Sequence, residues 1–88
     1  MYLTKASYPH KYTAHFDNGR KTSFGHADYR DYTQHHDKER RERYRLRHAK
    51  DLETNDPTRA GFLSYYILWG THTSIEKNLA EYKRKFNL

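Results

Sequence analysis

Cysteine is absent from the 88-residue chain, which excludes disulfide scaffolds, thiolate zinc sites and thiol nucleophiles. Valine is absent too, and Leu, Ile and Phe together number thirteen, about 15% of the residues. The longest strongly apolar stretch, Phe62 to Trp69, is eight residues and is interrupted by Ser64. That is far short of the roughly 20 needed to cross a bilayer, so no membrane span is expected. The opening Met1-Tyr2-Leu3-Thr4-Lys5 lacks the apolar region of a secretory leader, and an intracellular, soluble location is the expectation. The four glycines are scattered and form no phosphate-cradling loop, no nucleophile elbow surrounds Ser64, and no pair of carboxylates stands clear of basic neighbours. A chain this short also has little room to enclose a concave pocket. Together these absences argue against an enzyme, a cofactor and a small-molecule substrate.

What is present is charge and aromatic surface. Seventeen Lys and Arg against eleven Asp and Glu give a formal net charge of +6. With so few aliphatic residues, that charge alone would suit a disordered chain. Nine Tyr, four Phe and one Trp argue otherwise, since each ring can bury about 150 to 250 Å². A single small domain is expected, marginal by itself because a short chain buries a small share of its surface. The charge is spread evenly: residues 1–36, 37–53 and 54–88 each carry a net +2, so there is no basic arm and no acidic tail.

The pattern predicts an α+β fold, an N-terminal β-hairpin followed by three α-helices. Residues 1–11 show no period and read as an extended arm. Residues 12–24 read as the hairpin. A three-residue Asp17-Asn18-Gly19 loop pairs Phe16 with Arg20 and gathers Tyr12, Ala14, Phe16, Thr22 and Phe24 on one face, which a helix must cover. Asp31-Tyr32-Thr33-Gln34 has the form of a capping box opening a charged helix over 32–52, with Tyr32, His36, Tyr44, Leu46, Ala49 and Leu52 its only core candidates. Asp56-Pro57 predicts the start of a helix over 57–69 that is apolar on every side and hence central, closed by Gly70 as a left-handed cap. Thr73-Ser74-Ile75-Glu76 predicts a second capping box and a helix over 74–86 with the apolar stripe Ile75, Leu79, Tyr82, Phe86.

Three sets of residues are candidates for contact with a partner or a nucleic acid. Helical spacing sets Arg40, Arg43 and Arg47 along one side of the charged helix and Arg41 and Arg45 along another. Lys83, Arg84 and Lys85 cluster in the last turn of the final helix. Tyr2, Tyr8 and Tyr29, with Tyr32, lie where aliphatic neighbours are few, and a ring with a polar tip suits an interface. The arginines could follow a phosphate backbone. Against that, Asp37 with Arg41, Glu39 with Arg43 and Glu42 with Arg45 are spaced to pair on the helix, and such interleaved acids favour a solvated or protein-facing helix. The seven histidines include no i, i+3 or i, i+4 pair on a helix, so no metal site is expected.

Phe24-Gly25, Asp31-Tyr32-Thr33, His35, the run Asp37 to Tyr44 and Arg47-His48, followed by Asp56-Pro57, Ala60-Gly61, Leu63-Ser64, Ile67-Leu68-Trp69, Tyr82 and Phe86-Asn87-Leu88, form a distinctive pattern. It resembles a family of small, basic, uncharacterised proteins encoded by large eukaryotic DNA viruses, namely phycodnaviruses, mimiviruses and iridoviruses. The resemblance covers about residues 12 to 88; Gln34, His36 and the Tyr65-Tyr66 pair depart from its usual residues. It implies a viral origin and carries no catalytic or ligand residue with it. The expectation drawn from residues and resemblance together is a non-enzymatic virion component, a minor capsid or capsid-associated protein adhering to larger virion proteins and intracellular in the host during infection. The alternative is a small basic nucleic-acid-binding module acting through the arginine-rich helix.

Overall fold

Alternation in Tyr12-Thr13-Ala14-His15 and the turn residues after it produce the hairpin. The structure, a computed structural model, describes residues 1–88 and places β2 at Tyr12–His15 and β3 at Lys21–Phe24, antiparallel, with Ala14 opposite Thr22. Between them the Phe16 N–H donates to Arg20 O at 2.9 Å and Gly19 takes φ +89°, the left-handed position that closes a three-residue loop. The expected extended arm is instead a third strand. β1, Tyr2–Lys5, pairs antiparallel with β2, Leu3 opposite Ala14, so β2 is central and its carbonyls and N–H groups are satisfied on both sides. The inner face presents Leu3, Tyr12, Ala14 and Phe24, and Phe16 is buried just beyond it.

The charged stretch expected as one helix over 32–52 is broken. α1 spans only Tyr32–His35, opened by the predicted box: Asp31 accepts from Thr33 N–H, and the Gln34 side chain accepts from Asp31 N–H at 3.0 Å. His36 then turns left-handed at φ 57°, and Asp37 accepts from the N–H groups of Glu39 and Arg40 to start α2, Lys38–His48. A short acid that bonds the backbone ahead of it ends one helix and begins another, which is why no unbroken run forms. α2 runs into a 3-10 turn, Ala49–Thr54. Of its expected core residues, Tyr32 is buried, which removes it from the interface set in which it was also placed, while Leu46 is 85% exposed.

Asp56 accepts from Thr58 N–H and hydroxyl, so Pro57 lies in a turn rather than at the start of a helix, and α3 begins at Ala60. α3, Ala60–Leu63, continues as a π-helical segment, Ser64–Leu68, closed by Trp69 N–H to Ser64 O at 3.0 Å. Phe62, Leu63, Ile67 and Leu68 are buried against the sheet, in keeping with a central helix. Gly70 is not left-handed as expected; glycine is required there because a Cβ would fall 2.1 Å from Tyr66 O. α4, Ile75–Lys85, is capped by Ser74, whose side chain accepts from Lys77 N–H, so the box does not form on Thr73. Its stripe packs on the Ser64–Leu68 segment that continues α3, with Tyr82 buried and its hydroxyl donating to Pro57 O. Asn78, on the same face, donates to Ile67 O and His72 O and accepts from His72 N–H, all near 2.9 Å. The result is an α+β fold of a three-stranded antiparallel sheet and four helices, layered as sheet, α3, α4. No helix is long and apolar enough to cross a membrane.

Candidate functional site

Residues three and four apart share a face of a helix, and α2 uses two such faces for different ends. Arg41 and Arg45 turn inward. Arg41 Nε donates to Gly70 O at 2.6 Å, and Arg45 Nη1 donates to Trp69 O at 2.7 Å while its guanidinium lies 4.1 Å from the centre of the Tyr65 ring. These carbonyls end the helical segment before Gly70, where the helix itself supplies no partner. Two of the predicted contact residues are thus occupied inside the fold.

Arg40, Arg43 and Arg47 instead border a cleft of about 630 Å³, with Tyr44 and His48 of the same helix beside them. The segment between β3 and α1 forms the facing wall, through His26, Tyr29, Arg30 and Asp31, together with Lys11. Leu68 and Trp69 lie beneath. The chain therefore encloses a concave site that its length argued against.

Charge in the cleft is one-sided. Asp31, buried, is its one carboxylate, and it is bound by Lys11 Nζ at 2.6 Å and by Thr33. Each partner of that buried pair has further hydrogen bonds, Lys11 to Gln34 among them, which is what makes such burial tolerable. With Lys11 and Asp31 cancelling, Arg30, Arg40, Arg43 and Arg47 set the sign. Arg40 and Arg47 form no ion pair, and Arg43 meets Glu39 at 4.0 Å with both side chains largely in solvent, a pair worth about 0 to 1 kcal/mol. Of the three ion pairs expected along the helix, Glu39 with Arg43 forms and the other two do not. Asp37 caps α2 and Glu42 pairs with Arg41.

Rings line the same cleft. Trp69 stacks on Tyr44 with centroids 4.2 Å apart and planes 6° from parallel, and Tyr44 stacks in turn on His48 at 4.2 Å. Burial, with Asp51 adding to it, pushes the Tyr44 hydroxyl up to about 12. Tyr29 stands at the rim, 70% exposed, its ring meeting His26 edge to face at 5.0 Å. A concave surface of guanidinium groups and rings can hold phosphate oxygens by paired N–H donors and bases by their faces. No group of three or more His, Asp or Glu side chains gathers as metal ligands would.

The other predicted residues do not join the cleft. Lys83, Arg84 and Lys85 are exposed on the last turn of α4, with Lys85 Nζ 5.8 Å from the Tyr66 ring. Tyr2 stacks on His15 across the outer face of the sheet, and Tyr8 donates its hydroxyl to Asp28, which raises the Tyr8 pKa. Lys11, His26, Arg30, Tyr44, His48 and Trp69 line the cleft without having been singled out from the sequence as contacts. Tyr44 and His48 carried a signal, since Tyr44 falls four residues after Arg40 and three before Arg47, and His48 four after Tyr44. Arg30 and Lys11 carried none, because only the tertiary fold sets them opposite α2.

No curated protein and no solved structure matches the chain. A family model matches residues 4–48, from β1 to the end of α2, so both walls of the cleft lie inside the match and Leu68 and Trp69 beneath lie outside it. The match covers a little over half of the residues, and the chain belongs to that family, a family of unknown function designated DUF5754.

Proposed function

We propose that the chain is a non-enzymatic nucleic-acid-binding module that holds the phosphate backbone in the cleft between α2 and the β3–α1 segment. The observation that carries this reading is the convergence of Arg30, Arg40, Arg43 and Arg47 on one cavity with no ion pair stronger than the long Glu39 contact. It shifts weight toward the second reading of the sequence, because of the interleaved acids only Glu39 reaches these arginines, at 4.0 Å from Arg43. Fluorescence anisotropy with a labelled oligonucleotide at increasing salt tests it. Three to four phosphates neutralised predict a log–log slope of about −2 to −4. The triple variant R40A/R43A/R47A is expected to lose most of the affinity and most of the slope. Binding that ignores salt, or that survives the triple variant, would sink the proposal.

The exposed Tyr2 and Tyr8, 60% and 71% accessible and outside the cleft, support a second reading. On it the chain is a minor capsid or capsid-associated component of a large DNA virus, docking these rings into larger virion proteins. Mass spectrometry of purified, nuclease-treated virions tests it, and absence at stoichiometric levels counts against it.

A further inference from the structure

Resting on the nucleic-acid reading, we infer that the cleft takes a single strand rather than a duplex, with a base stacked on Tyr29. A helix that enters the major groove of a duplex must present its basic face outward and unobstructed. The face of α2 that carries Arg40, Arg43 and Arg47 is exposed but lines one concave cleft with Tyr29 and Arg30, so a ligand that touches all of these groups enters a recess rather than lying along an isolated helix face. From Arg40 to Arg47 the helix advances about 10 Å, long enough to follow a strand rather than hold one ion.

The rings supply what a single strand offers and a duplex hides. Tyr29 stands at the cleft rim, 70% exposed, and lines the same cleft as Arg30, whose Nη2 donates to Gln34 O at 3.1 Å; an open ring face in a recess that also carries guanidinium groups can receive an unstacked base. Deeper in the cleft lies Trp69, the one tryptophan of the chain, stacked on Tyr44. A strand seated here comes close enough to alter its fluorescence.

The experiment uses the full chain with labelled 12-nucleotide oligothymidine, its oligouridine counterpart and a DNA duplex of the same length, at low salt. At least one single strand is expected to bind about tenfold or more tighter than the duplex, and to change the Trp69 emission as it saturates. Y29A is expected to cost the single strand about tenfold in affinity and the duplex far less, with Y29F restoring it. Equal or tighter duplex binding, an unchanged single-strand affinity in Y29A, or saturation without any change in Trp69 emission overturns the inference while the backbone-binding reading stands. Failure of every probe to bind at low salt overturns both.

Discussion

Arg43 and Arg45 are two residues apart on α2 and face different surroundings. Arg45 bonds two backbone carbonyls and lies on the Tyr65 ring, whereas Arg43 borders the cleft with an acid only at 4.0 Å. The same side chain is therefore structural on one face of the helix and largely in solvent on the other. R45A leaves part-buried carbonyls without donors, and a loss of about 1 to 3 kcal/mol is expected in urea unfolding. R43A, which empties nothing inside the fold, is expected to stay within about 0.5 kcal/mol of the parent while weakening oligonucleotide binding. Equal costs for the two substitutions would refute the division of the helix into two faces. That division was legible in the sequence, since helical spacing alone separates 40, 43 and 47 from 41 and 45. Which face turns inward was not, because both carry arginines.

The junction between α1 and α2 shows how an element boundary depends on a protonation state. His35 Nδ1 accepts the Asp37 N–H at 2.9 Å, a bond that requires the neutral form at that nitrogen, and its Nε2 is buried without a partner, the ring 5.3 Å from that of Trp69. Burial, helped by the charge of Arg40, holds the His35 pKa below its ordinary 6.5. The unfolded chain takes up a proton near 6.5 that the folded chain resists. The His35 contribution is therefore complete above that value and is lost as pH falls toward the depressed folded pKa. Thermal unfolding followed from about pH 7.5 to 5.5 is expected to show a declining midpoint, with a shallower decline in H35Q, whose amide oxygen can accept the same N–H and does not titrate. Parallel curves would remove His35 as the cause. The break itself could have been read from the sequence: Asp37 two and three residues before Glu39 and Arg40 is an N-cap, but the long run of helix formers around it argued for continuity.

For the molecule as a whole, the charge that was even along the chain is uneven in space. Folding brings Arg30 to the cleft wall opposite Arg40, Arg43 and Arg47, and the mutual repulsion of these groups opposes the compact state. An anion that bridges them should stabilise the fold by mass action. Inorganic phosphate in the tens of millimolar is expected to raise the thermal midpoint by a few degrees more than chloride at equal ionic strength, as about 1 kcal/mol shifts a domain of this size by roughly 4 to 8 °C. R40A/R43A/R47A should lose that difference. A parent protein indifferent to phosphate would count against an anion site in the cleft.

The sequence by itself determined the α+β class, the hairpin loop, the central apolar helix, the amphipathic last helix and the two arginine faces, because each follows from spacing within a few residues. Only the tertiary structure decided that β1 joins the sheet, that Arg41 and Arg45 close the end of the central helix, and that Arg30 and Tyr29 stand across a cleft from Arg40, Arg43 and Arg47. These are relations between segments that no local period encodes. They are settled by which faces must leave water together, and a charge count along the chain is blind to them.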